Sequence, residues 1–125
     1  MLVINKQSQI PIYEQIVSEY ERLIMSGFIM QSEQIPSVRA LAMELTINPN
    51  TIQKAYNNLE LRKITYSVPG VGRFISVKAK EIISEEYSKK FDIIYNEAKI
   101  LKEAGYQQDD VLNIVKKAFK EDKNV

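Results

Sequence analysis

The chain has 125 residues, 45% of them hydrophobic and 26% charged, the make-up of an ordinary globular protein of one or two small domains. It contains no Cys, His or Trp, which removes disulfides, thiolate nucleophiles, the usual zinc sites and Ser/His dyads, so no enzyme, metal or cofactor is expected. The net charge is +1; apolar residues 1–4 run at once into Asn5, Lys6 and Gln7, and no apolar run approaches the ~20 residues of a membrane span, so the cytoplasm is the expected location.

Residues 12–28 place Ile12, Tyr13, Ile16, Val17, Tyr20, Leu23, Ile24 and Phe28 at helical spacing, with Pro11 at the start and Gly27 near the end. A second, shorter helix is announced by Pro36 and Ser37, with Val38, Leu41, Ala42 and Leu45 as its buried stripe, and it stops near Thr46. A third follows almost at once. Asn48 is a good cap, Pro49 suits the first helical position, and Ile52, Ala55, Tyr56 and Leu59 repeat at helical spacing. Helices joined by so few residues cross at a large angle, the geometry of a helix-turn-helix. Two β-prone runs, 64–68 and 73–77, flank Pro69-Gly70-Val71-Gly72 and read as a hairpin, a wing beside the helix pair.

The remainder reads as a separate unit. A helix from about Glu81 to Ala104 is closed by Gly105, and a last helix, capped by Asp109 or its neighbour, carries Val111, Leu112, Ile114, Val115, Ala118 and Phe119. Two such helices have no core of their own. Tyr87, Phe91, Ile94, Tyr95 and Leu101 on one, with Leu112, Val115 and Phe119 on the other, therefore read as a dimerisation surface, and a ligand-pocket reading of the aromatic residues is several times weaker. The acidic pairs Glu85-Glu86 and Asp109-Asp110 read as solvated faces and a helix cap. The predicted fold is mainly α with a small β-hairpin: a winged helix-turn-helix over 1–78 and a two-helix dimerisation tail over 79–125.

Charge is unevenly spread. Residues 36–78 carry six basic side chains against two acidic ones, whereas from residue 79 onward nine lysines face ten acidic residues. In a helix-turn-helix the start of the second helix meets base edges in the major groove. Here that start holds Asn48, Asn50, Thr51, Gln53 and Lys54, while Ile52, Ala55 and Tyr56 point to the core. Asn and Gln side chains read adenine through paired hydrogen bonds; for Asn50 and Thr51, helix capping is the alternative role and the two can coexist.

The segment from Tyr13 through Ile75 resembles the GntR family of bacterial transcription regulators. The matching blocks are Tyr13-x-Gln15-Ile16, Gly27, Pro36-Ser37-x-Arg39-x-Leu41-Ala42, Asn50-Thr51-x-x-x-Ala55-Tyr56-x-x-Leu59-Glu60 and Gly70-x-Gly72-x-Phe74-Ile75. The short helical tail is what its YtrA subfamily looks like. The resemblance implies double-stranded DNA as partner, an inverted-repeat operator bound by a homodimer, and a repressor's role. It places Ser37 and Arg39 at the DNA, a surface ion pair being the alternative for Arg39. Lys63 and Arg62 are expected at phosphates or solvent; Gly70 and Gly72 either bring the wing backbone to minor-groove phosphates or only permit the turn. Three positions depart from the family pattern: Gln31-Ser32 stands for Pro-Gly, Lys63-Ile64 for Gly-Leu, and Arg73 for Thr, which adds a cation at the wing tip. The rival readings are a winged-helix protein-interaction module, against which the polar helix start argues, and a small ligand-responsive sensor; an effector ligand is unknown.

Overall fold

The computed structural model describes residues 2–121. Its elements run, in chain order, α1 (Ile12–Met25), β1 (Gln34–Ile35), α2 (Val38–Leu45), α3 (Pro49–Leu61), β2 (Thr65–Val68), β3 (Gly72–Ile75), α4 (Ala79–Glu103) and α5 (Gln108–Lys120). They form two compact units that divide between Ser84 and Glu85.

In the first unit α3 packs on both α1 and α2. The apolar spacing of each helix is what permits this: Ile16, Tyr20, Leu23 and Ile24 of α1, Leu41 and Ala42 of α2, and Ile52, Ala55, Tyr56 and Leu59 of α3 meet in one core. Local signals set the helix ends. The Ser37 hydroxyl accepts from the Ala40 amide at 3.1 Å, and Asn48 Oδ1 accepts from the Asn50 amide at 2.8 Å, with Pro49 at the first helical position where a missing N–H costs nothing. Gly27, at φ +82°, ends α1 before Phe28, so Phe28, expected as the last residue of the apolar stripe, lies outside the helix and is 65% exposed. Ile29 takes the buried place instead.

The predicted hairpin is joined by a third strand. β3 pairs antiparallel with β2 on one side and with the two-residue β1 on the other, in the order β1-β3-β2. Phe74 lies opposite Tyr66 and also Gln34; Arg73 lies opposite Ser67 and Ile35. The turn between β2 and β3 is closed by the Val71 amide donating to the Val68 carbonyl at 3.0 Å, with Pro69 second and Gly70 third at φ +76°, the conformation a type II turn requires. α4 begins at Ala79, earlier than Glu81, and its start belongs to the first unit, because Ala79 and Ile83 are buried in that core.

The second unit consists of the remainder of α4 and α5. Gly105, at φ +98°, ends α4, with the Gly105 and Tyr106 amides donating to the Lys102 and Leu101 carbonyls. The cap of α5 is Gln107 rather than Asp109: the Gln107 amide donates to the Asp110 carboxylate at 2.9 Å. None of α5 is buried, and Tyr87, Phe91, Ile94, Tyr95, Leu101, Leu112, Val115 and Phe119 are all exposed in the single chain.

Candidate nucleic-acid interface

The start of α3 is held from beneath and open above. Ile52, Ala55, Tyr56 and Leu59 are fully buried, while Asn48, Asn50 and Lys54 are exposed and Thr51 and Gln53 half-buried. The Asn48 side chain is engaged as the cap, so its base-reading capacity is reduced, whereas among the described residues Asn50 is engaged through its backbone amide alone. Gln53 donates to Asn57 Oδ1 at 2.8 Å one turn further on. Lys54 lies with its ammonium 4.0 Å from the centre of the Tyr13 ring, an arrangement that fixes the cation beside the helix start.

Behind the helix pair runs a buried hydroxyl chain. Tyr56 Oη donates to the Pro36 carbonyl at 2.8 Å, and a carbonyl only accepts, so Tyr20 is the donor in the 2.9 Å Tyr20–Tyr56 contact. The chain links α1, α3 and the residue before the α2 cap. Burial pushes both phenols above the ordinary tyrosine range, and for Tyr56 the neighbouring Tyr20 adds to the rise. Both stay neutral through the physiological range. Arg39, in the first turn of α2, is exposed, and among the described residues nothing pairs with its guanidinium.

Between the start of α2 and the wing runs a groove of about 390 Å³ lined by Gln34, Ser37, Ser67, Gly70, Gly72 and Arg73, among others. Gly72 has φ +146° and faces Gln34 so closely that a Cβ there would stand 2.3 Å from Nε2. That amide nitrogen donates to the Val71 carbonyl at 3.0 Å and ties the wing turn to β1. A side chain at position 72 would be strained at that φ and would push the Gln34 amide aside, so Gly72 serves the wing's own backbone.

Two of the basic residues lie elsewhere than expected. Arg73 is not at the wing tip: its side chain is 23% exposed, with Nε 3.6 Å from Glu60 Oε1 and the guanidinium carbon 5.2 Å from the centre of the Tyr56 ring. Arg62 turns away from the helix start to Glu21 of α1 and also donates to Asn58 Oδ1 at 2.7 Å. Lys63 is exposed and follows the α3 cap at φ +65°. The Lys63 amide donates to the Glu60 carbonyl and the Ile64 amide to the Leu59 carbonyl, both at 2.9 Å, with Ile64 and Leu59 fully buried. This is a Schellman ending, whose left-handed position is ordinarily glycine. Ser32, also at φ +65°, repeats the substitution in the loop before β1. At both places where the chain lacks the family's glycine, the backbone keeps the glycine conformation.

Sequence reasoning missed Gln34, Glu60 and the tyrosine pair. Glu60 and Tyr56 had a signal, their places in the α3 block; Gln34 had none.

A short-linked helix pair with a polar, exposed second-helix start and an antiparallel wing defines a winged helix-turn-helix. Residues 12–75 match the family described as bacterial regulatory proteins, gntR family. The chain is 40% identical over 85 residues to the HTH-type transcriptional repressor YtrA of Bacillus subtilis (strain 168), an alignment covering 68% of this chain and 65% of that protein. It superposes with TM-score 0.65 on a GntR family transcriptional regulator from Listeria monocytogenes, at 30% identity, covering 91% of this chain and 98% of that one. The AraR(DBD) in complex with operator ORX1 matches with TM-score 0.54 at 29% identity, over 60% of this chain and 96% of that one. The chain belongs to the GntR family of bacterial regulatory proteins. Among the described residues no helix is long and apolar enough to cross a membrane.

Proposed function

We propose that the chain is a transcriptional repressor that binds an inverted-repeat DNA operator as a homodimer, in the cytoplasm beside the chromosome. The observation that carries this reading is the start of α3, which is fully buried on one side and presents Asn50, Thr51, Gln53 and Lys54 on the other. Asn50 and Gln53 read bases in the major groove; Arg39 reaches the duplex from α2. Lys54, Lys63, the backbone at Ser37 and Asn48, and the wing backbone at Gly70 and Gly72 hold phosphates. Kinship with the YtrA repressor and with the operator-bound AraR domain supports both the partner and the sign of regulation.

The tail supplies the pairing. An exposed apolar stripe that includes Phe91 (74% exposed), Tyr95 and Phe119 (87% exposed) is covered when a second copy presents the same surface about a two-fold axis. The pair then offers two recognition helices about 34 Å apart, or a multiple of that, to one face of DNA. Selection of duplexes from random sequence by the purified protein tests the reading. An enriched inverted repeat bound by two chains supports it; no enrichment over input DNA refutes it.

A further inference from the structure

We infer that Glu60, an acidic residue near the end of the recognition helix, is a positioning residue that sets the posture of the wing through Ser67 and Arg73; the inference rests on the DNA-binding reading above. Ser67 of β2 donates its hydroxyl to Glu60 Oε1 at 2.8 Å. Arg73 of β3 brings Nε to 3.6 Å from the same oxygen. Ser67 and Arg73 are direct partners in the β2–β3 register, so one carboxylate oxygen of α3 holds both strands of the wing. The Arg73 guanidinium is turned inward over the Tyr56 ring, and its Nη1 is buried without a hydrogen-bond partner among the described residues. It is therefore placed to brace the wing and not to reach a phosphate at its tip. Gln34 holds the turn from the β1 side, and Tyr66 stacks on Phe74 across the two strands with ring centres 5.6 Å apart. With all four in place the wing is pre-set against α3, and little ordering is left to be done on binding.

The charge of Glu60 makes this testable, because two accounts predict opposite signs. If only its charge mattered, removing a negative group beside a phosphate-binding surface would tighten binding to every duplex. If it positions the wing, removing it weakens binding to the selected sequence. The experiment uses the full chain and a duplex enriched by it from random sequence. Glu60→Gln is expected to weaken binding by about threefold to tenfold, the net size of one ordinary hydrogen bond, with the salt slope unchanged. Arg73→Ala is expected to cause a loss of similar size, also at unchanged slope, and the double variant to bind no worse than the weaker single one. In the free protein, amide exchange of Tyr66 and Phe74 should speed up in Glu60→Gln while that of the α1 core amides stays the same, a pattern that general destabilisation does not produce. Ser67→Ala, which leaves both charges, should reproduce the exchange effect. Equal or tighter binding by Glu60→Gln, unchanged wing exchange, or a slope shallower by about one in Arg73→Ala, would each overturn the inference. A wild-type protein that enriches no duplex would count against the DNA reading itself, and the exchange measurement would still decide whether Glu60 braces the wing.

Discussion

Lys63→Gly separates two properties that one residue combines. Lys63 sits just beyond α3 at φ +65°, held there by the hydrogen bond its amide donates to the Glu60 carbonyl and by the one the Ile64 amide donates to the Leu59 carbonyl. A left-handed conformation costs a residue with a Cβ about 1–2 kcal/mol. Glycine removes that cost but makes the unfolded chain more flexible, which returns roughly 0.5–1 kcal/mol. The net gain is about 0.5–1 kcal/mol, or roughly 2–8 °C in Tm for a unit of this size. Calorimetry or circular dichroism on the purified variant measures it. The same substitution removes a cation proposed to meet a phosphate, so the slope of log affinity against log salt should become shallower by about one. Lys63→Ala is the control: it loses the charge, keeps the strain, and should change the slope without raising Tm. A Lys63→Gly protein no more stable than wild type would refute the backbone argument, and an unchanged slope would refute the phosphate contact.

Gln15→Ala should destabilise the first unit by about 1–3 kcal/mol in chemical denaturation, because the Gln15 side chain accepts from the Asn5 amide and donates to the Asn5 and Ile10 carbonyls, clamping the segment before α1. The raised Tyr20 and Tyr56 phenols contribute stability that is fully present below their unfolded value of 10.0 and is lost as pH rises beyond it; the Tyr20→Phe, Tyr56→Phe double variant should show a smaller fall in Tm between pH 9 and 11 (roughly one unit either side of the free phenol). Arg39→Ala should weaken operator binding by about 1–3 kcal/mol while leaving Tm unchanged; unaltered affinity in a folded variant would remove Arg39 from the interface.

The helical framework is readable in the sequence because its signals are local. Ser37 and the Asn48-Pro49 pair mark helix starts by hydrogen bonds that span two or three residues, and the Pro69-Gly70 turn is closed by the backbone bond from Val71 to Val68. What escapes depends on distant partners. β1 is two residues long, too short for any alternation, and exists only because Ile35 and Gln34 find β3 some forty positions later. Phe28 continues the helical spacing of α1 in sequence, but Gly27 has already turned the chain. Arg73 looks like a wing-tip cation beside two glycines until the register places it opposite Ser67, where Glu60 and Tyr56 take up its guanidinium. Basic residues are the hardest to assign from sequence alone, since charge does not say which acidic group folds nearby; Arg62, paired with Glu21 of α1 some forty positions earlier, is the second case.

In the proposed complex the exposed start of α3 reads sequence while the surrounding cations hold the backbone. The most direct test is the ratio of affinities for a selected duplex and a scrambled one, measured by fluorescence anisotropy at fixed salt for the wild type, the Asn50→Ala, Gln53→Ala double variant and Lys63→Ala. The wild type is expected to prefer the selected duplex by at least about 10³, the double variant to lose about tenfold or more of that preference with scrambled-duplex affinity unchanged, and Lys63→Ala to lose equally on both duplexes. A double variant that kept the full wild-type preference would contradict that assignment.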